Sequence, residues 1–354
     1  MGRIFQGIPR PVWVLGWVSF FADLSSELIY PIIPIFLTVT LGAPATAVGV
    51  TEGVAEATAN VTRLFSGRWS DRAGARKPFV VAGYSLAAAG KLVLCVAPVW
   101  GFAVAGRAVD RFGKGLRSAP RDALLADFAG ESDRGKIFGF HRSFDTMGAI
   151  GGPLVGLAFL ALAGNHLRWA IALSLIPAVA SVLVLTRLPE HAPPPRPTAA
   201  DHTESGGLPR AYWLFLAASA IFMVGNSSDA FLILRSKDIG LSTTLVVLAY
   251  VLYNTVYAGA AYPAGMLSDR IPRPVLLVCG YLVFSAVYFG FARIENEHLV
   301  WPLMAAYGFY IAATEGVMKA AVVDLAPAQR RSSALGTFQG ITGLMVLGAS
   351  IGAG

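Results

Sequence analysis

This chain is poor in charge. Asp, Glu, Lys and Arg make up 14% of its 354 residues, while hydrophobic residues make up 55%, and the mean hydropathy is +0.60. A soluble domain carries about 25% charged residues. So much apolar surface exceeds what an aqueous core can hide, and the bilayer is the natural solvent. Cysteine is nearly absent. Cys95 and Cys279 both lie in apolar runs, which excludes a disulfide framework and a CxxC metal or redox site. The five histidines are scattered, with no His-rich tract. A metal, if carried, would be bound by oxygen ligands of Asp, Glu and Asn, which suits a transient site. No Walker, GxSxG or zinc signature occurs, which argues against ATP hydrolysis or other catalysis and calls for no cofactor. The net charge of +7 does not indicate nucleic acid, because the cations cap apolar runs and form no single patch.

What is present is a series of long apolar runs. A spanning helix needs roughly 20 mostly apolar residues. Eleven stretches qualify, at about 12–40, 44–66, 79–98, 100–125, 137–163, 168–187, 211–235, 242–265, 275–293, 299–323 and 333–354. They lack strand alternation and are about twice the length of a barrel strand. The first is too long for a signal-peptide core and is expected to be retained. Residues 188–210, LPEHAPPPRPTAADHTESGGLPR, are rich in Pro, Gly and polar residues and read as a flexible cytoplasmic linker. The expected fold class is therefore an all-α polytopic membrane protein, with a six-helix bundle over 1–187 and a second helical bundle over 211–354. With the N-terminus inside, fifteen Lys and Arg fall in inner loops and four in outer loops. That bias places the N-terminus in the cytoplasm.

The halves repeat. Gly67-x-x-Ser70-Asp71-Arg72 recurs as Gly265-x-x-Ser268-Asp269-Arg270, and Asp127, Arg134 and Gly139 recur as Asp324, Arg331 and Gly336. Ser25-Ser26 is echoed by Ser227-Ser228. Three places give nearly one shift, as a parallel repeat of helical halves requires. The stretch SGRWSDRAGARKP, 66–78, supplies Gly67, Asp71, Arg72, Gly74, Arg76 and Lys77. On these residues the chain resembles the major facilitator superfamily over essentially its whole length. It departs from the motif at Trp69 and Ala75, and in the second copy at Pro272. The residues themselves suggest a latch. Asp71 can accept from a neighbouring helix N-terminus or an Arg, and Gly67 and Gly74 allow close approach and a tight turn. Topology alone, with basic loops simply kept inside, is the plainer alternative. In the fourth span, Arg111-Phe-Gly-Lys114-Gly115 is similar to the family's Arg-x-x-Gln-Gly. In the fifth, Gly148, Gly152, Pro153 and Gly156 are similar to the family's antiporter pattern, with Leu157 at its final Gly. That pattern implies a hinge and export; a tight helix pair is the alternative.

Charge inside a span is costly and functional by default. Asp23 and Glu27 share a face of the first span, and Glu52 and Glu56 share one of the second. The fourth carries Arg107, Asp110, Arg111, Lys114, Arg117, Arg121 and Asp122; the fifth His141, Arg142 and Asp145; the seventh Asn226 and Asp229; the tenth Glu315 and Lys319. The expected transport and proton-coupling set is Asp23, Glu27, Glu52, Glu56, Arg107, Asp110, Arg111, Lys114, Asp145, Asp229 and Glu315. Proton and solute would compete for a carboxylate there, with Arg111 favouring its ionised form. Some of these charges could instead be static ion pairs. Asp122, Arg142 and Lys319, near membrane ends or beside a partner, read that way. Tyr30, Pro31, Pro34, Tyr253 and Asn254 read first as packing or interface residues.

The runs FFADLSSELIYPIIPIF and DRFGKGLRSAPRDALLAD are most similar to bacterial facilitators associated with metal or drug resistance. The resemblance implies a monomer in the bacterial inner membrane that works with the lipid bilayer, protons and a small-molecule or metal-ion substrate. It would export a drug-like cation or divalent metal against protons. Proton-coupled uptake, or a non-transporting scaffold or receptor, are the rivals. It also implies twelve spans, so the twelfth is expected to be missing from a chain that ends at Gly354.

Overall fold

The computed structural model describes residues 7–163, 166–189, 207–226 and 230–353. Most of the expected linker, and the expected site residue Asp229, lie outside the described residues, as do Ser227 and Ser228. The described residues form twelve helices besides short 3-10 and π turns. They are α1 (Arg10–Ile29), α2 (Ala45–Ala73), α3 (Lys77–Val96), α4 (Trp100–Phe128), α5 (Arg134–Ala163), α6 (Leu167–Leu185), α7 (Arg210–Gly225), α8 (Ala230–Asp238), α9 (Thr243–Ser268), α10 (Arg273–Arg293), α11 (Val300–Leu325) and α12 (Arg331–Ala353). Two expected spans are broken. The first stops at Ile29, where Pro31 cannot continue the ladder, and resumes as Ile33–Ile35 and a π turn over Phe36–Thr40. The seventh is split into α7 and α8, with Asn226 leaving helical geometry.

By length and composition, five segments could each cross a membrane unaided: 10–40, 77–96, 131–162, 167–185 and 273–293. Of the remaining spans, α2, α4 and α11 carry internal charges, α4 above all, that their neighbours must satisfy. Large apolar side chains such as Ile176, Leu183, Ile221 and Phe289 face outward, as lipid contact requires.

Helices α1–α6 pack on one another, as do α7 and α9–α12, and the two groups meet chiefly through α2 against α12 and α5 against α9. Small residues set how closely helices approach. A Cβ on Gly83 would lie 2.7 Å from the Gly113 carbonyl, and one on Gly106 would lie 2.8 Å from the Gly90 carbonyl. That closeness brings Lys91 of α3 to Asp110 of α4 at 2.8 Å. Arg107 adds to Asp110 at 3.3 Å and grips Glu52 of α2 at 2.9 and 3.0 Å. Arg107 is 1% exposed and Asp110 3%, so these four charges clamp α2, α3 and α4 into one block.

The basic loops gather at one end of the bundle, and there the two groups are bolted together twice. Asp71, at the end of α2, accepts from the Ser333 N–H at 2.6 Å, at the start of α12. Asp269, at the end of α9, accepts from the Gly135 and Lys136 N–H groups at 2.8 and 2.7 Å, at the start of α5. Each carboxylate thus caps a helix of the other group, where unpaired N–H groups and the helix dipole favour a negative charge. Burial pushes the Asp269 carboxyl above its ordinary range, and the two N–H donors pull it back. Gly67 and Gly265 make room: a Cβ on either would strike the backbone carbonyl of Ser332 or Gly135. Gly74 ends α2 in the left-handed region, at φ 62°. Two ion-pair triads flank the caps. Asp127 pairs with Arg76 and, at 3.3 Å, with Arg331. Asp324 pairs with Arg273 at 2.6 Å and Arg134 at 2.7 Å. Arg72 and Arg270, in contrast, are exposed.

Removing one cap should loosen the basic end. Asp71→Ala loses a charge-assisted hydrogen bond worth about 1.5–3 kcal/mol, a tenfold or greater shift towards separation. Spin labels at exposed Arg68 and Gln329 should show a grown long-distance population, and an unchanged distribution would refute the latch. Arg107→Ala takes one of two close cations from buried Asp110 and leaves half-buried Glu52 without its partner, and should cost about 3 kcal/mol. A lowered melting temperature in detergent is the expected readout, and an unchanged one contradicts the clamp.

Candidate functional site

Between the two helix groups lies a cavity of about 480 Å³. Its floor, towards the basic end, is made of ion pairs that cross from one group to the other. Arg142 of α5 pairs with Asp145 one turn on and with Glu315 of α11, and Tyr257 of α9 donates to Glu315. Asp122 of α4 accepts from Lys319 of α11 at 3.0 Å, from Gln339 of α12 at 2.7 Å and from its neighbour Arg121 at 2.9 Å. Arg121 also reaches Ser19 at 3.2 Å, and Ser19 lies 2.7 Å from His141. The Asp122 side chain is 0% exposed, so three neighbours replace all of its water.

Above this floor the two walls differ. The first group contributes charge: Asp23 from α1, Arg63 from α2, and Lys114 and Arg117 from α4. Asp23 lies within electrostatic reach of Asp145, Lys114 and Glu27, and its carboxyl faces that of Asp145. Two facing carboxyl groups can hold one proton between them. The second group contributes a largely aromatic and apolar wall: Tyr253, Tyr257, Tyr307, Tyr310, Met223 and Met318, with Asn226 on Tyr310 at 3.3 Å.

The cavity's far side is open between α2 and α12. At the basic end Gly336, Gly340 and Gly343 of α12 lie against α2. Towards the far end, a Cβ on Gly49 or Gly53 of α2, or on Gly348 of α12, would meet nothing within 4 Å. The α2 face that meets α12 near the basic end is without a neighbour at Gly49 and Gly53.

Four members of the expected set line this cavity: Asp23, Lys114, Asp145 and Glu315. Glu27, Glu52, Glu56, Arg107, Asp110 and Arg111 are not among its lining residues; by helix direction they stand one or more turns nearer the far end. Glu52, Arg107 and Asp110 belong to the clamp. Glu56 meets Asn60 at 3.3 Å, and Asn60 meets Arg63 at 2.7 Å, a ladder along α2. Gly148, Gly152 and Gly156 press α5 on α1, where Cβ atoms would meet the backbone of Phe20 and Leu28. Pro153 leaves the carbonyl of Ala149 without its helical donor, and Ala149 lines the cavity. Arg142, Asp122 and Lys319, which the sequence reads as static, sit on the dividing surface. Tyr257, Gln339 and Lys91 carried no signal of their own. For Lys319, the deep i,i+4 pair with Glu315 was the available clue.

Comparisons with known proteins place this geometry. The chain is 35% identical over 353 residues to the MFS-type transporter MJ1317 of Methanocaldococcus jannaschii, covering 98% of this chain and 88% of the relative. It is 30% identical over 169 residues to the multidrug resistance protein MdtH of Edwardsiella ictaluri, covering 48% of this chain and 40% of that one. The crystal structure of the human organic anion transporter MFSD10 superposes with a TM-score of 0.77 at 16% identity, covering 98% and 93% of the two chains. The model of the Major Facilitator Superfamily matches residues 15–353, and the chain belongs to that family of membrane transporters.

Proposed function

We propose that this chain is a proton-coupled secondary transporter of the bacterial cytoplasmic membrane, working as a monomer by alternating access, with its N-terminus and basic end in the cytoplasm. The carrying observation is the cavity between two helix groups, floored by ion pairs that cross between them. In this reading the latched basic end is the closed cytoplasmic gate, and the two bundles, joined by the 188–210 linker, rock as units. Asp23, with Asp145 opposite and Lys114 beside it, is the proton site. The basic-loop bias supports the orientation.

Two coupling modes remain in play, each with its own support. Export in exchange for protons is supported by the glycine–proline pattern of α5 and by the likeness to a multidrug resistance protein. Movement of solute together with a proton is supported by the position of Lys114: protonating Asp23 removes the charge that competes for that ammonium.

Proton movement in reconstituted vesicles, followed with a pH dye, tests both the function and the mode. Cationic drugs, divalent metals, sugars and organic acids are added in turn on the substrate side. One class should drive proton movement, towards the solute compartment for exchange and away from it for cotransport. Asp23→Asn should reduce the signal to background. Undiminished flux in Asp23→Asn would remove Asp23 from the proton site, and silence towards every class in correctly folded protein would remove transport.

A further inference from the structure

The chemistry of the cavity is unbalanced in a way that selects its cargo. Six cationic side chains line it against three carboxylates. The floor neutralises itself. Arg142 faces both Asp145 and Glu315, and Arg121 and Lys319 share Asp122. What remains on the lining is Arg63, Lys114 and Arg117 against Asp23, with Glu56 within electrostatic reach of Arg63 and Glu27 of Lys114 from outside the lining. Among the described residues, no carboxylate lies within 4.0 Å of any of these three cations. Arg63 donates to Asn60 at 2.7 Å, which in turn donates to Glu56 at 3.3 Å, and the Arg63 Nε is buried without a partner. Arg117 is 3% exposed and lies 4.0 Å over the Tyr84 ring. Buried cations are normally in contact with acids, so a lining with three cations and one acid, none of the three cations touching a carboxylate, has room for a negative charge.

The opposite wall supplies no charge to match it. Tyr253, Tyr307 and Tyr310 stand in series, with ring centroids 5.6 and 5.5 Å apart, beside Met223 and Met318. Tyrosine rings offer apolar faces with polar edges, and a space of this size suits a small organic molecule.

From this arrangement we infer that the substrate is an amphiphilic organic anion, its acidic head held by Lys114, Arg63 and Arg117 and its apolar or aromatic body against the tyrosines of α9 and α11. The inference rests on the transport reading above and names its cargo. It departs from the cation or metal that the sequence alone suggested. Among the described residues no three His, Cys, Asp or Glu side chains gather as metal ligands, and cationic side chains outnumber carboxylates on the cavity lining. It also sets the coupling. An anion at Lys114 competes with ionised Asp23, so anion and proton enter together.

Equilibrium binding to the purified full chain with radiolabelled naphthalene-2-sulfonate, a permanently ionised probe, tests this. Its counterpart is 2-naphthyltrimethylammonium, alike in body and opposite in charge. The sulfonate should bind and the ammonium compound should bind at least about tenfold more weakly. Lys114→Gln should weaken sulfonate binding about tenfold or more, Lys114→Arg should preserve it, and Asp23→Asn should tighten it. Preference for the ammonium probe, binding of neither probe, or sulfonate affinity untouched by Lys114→Gln overturns the inference. Proton flux is scored separately. Sulfonate bound at Lys114 without any solute-driven flux defeats the transport reading alone; flux driven by cations and not by anions defeats this inference alone.

Discussion

A charge taken out of water must be met by another charge or by hydrogen bonds, and that requirement divides this molecule into parts that hold and parts that can part. Lys91, Asp110, Arg107 and Glu52 satisfy one another inside a single helix group. No relative movement of the two groups touches them, and breaking them would strand charge at about 3–5 kcal/mol. The pairs Arg142–Glu315, Asp122–Lys319, Arg331–Asp127 and Arg134–Asp324 cross between the groups. Separation of the basic end exposes every one of them. They can be released only if water, a proton or a ligand takes the place of the lost partner. The same chemistry is therefore static or switchable according to which side of one surface its partners occupy.

The crossing contacts come in matched sets because the halves repeat. Asp71 caps α12 as Asp269 caps α5, and the triad Arg76–Asp127–Arg331 has its counterpart in Arg273–Asp324–Arg134. Each set takes its Asp and one Arg from one half and its second Arg from the other. Neither half can satisfy its own terminal carboxylate fully without its partner. That reciprocity explains why a loop motif of glycine, aspartate and basic residues must occur twice, and why its aspartate and glycine make the capping contact.

Much of this architecture was legible in the sequence. Helix count, loop bias and repeat follow from hydropathy and spacing, which depend on residues close together in the chain. Asp71 and Gly67 were legible as a contact pair because few other roles need both an acid and a missing Cβ at the end of a span. The floor of the cavity was not. Arg142 meets Glu315 across 173 positions and Asp122 meets Lys319 across 197, and no local pattern distinguishes an acid paired across the dividing surface from one paired within its own bundle. Depth misled in the same way. Arg107, Asp110 and Glu52 are deep and read as functional, yet depth is equally the place for a clamp. The breaks at Pro31 and Asn226 were missed because hydropathy is blind to a lost backbone donor or a non-helical residue.

The glycines of α2 and α12 carry the argument from static contact to movement. At the basic end they are used: Gly67, Gly336, Gly340 and Gly343 bring the two helices together where any Cβ would collide. On α2 the stripe of small residues continues past these contacts, to Gly49 and Gly53, where a Cβ would touch nothing within 4 Å. Glycine inside a helix costs roughly 0.5–1 kcal/mol relative to alanine, and here no observed contact offsets that cost. In the proposed cycle the far halves of these helices would meet when the basic ends separate, and a surface already cleared of side chains is what such a meeting requires. The helix pair then acts as a rocker in which α2 is prepared for contact along its length, with the cavity at its pivot.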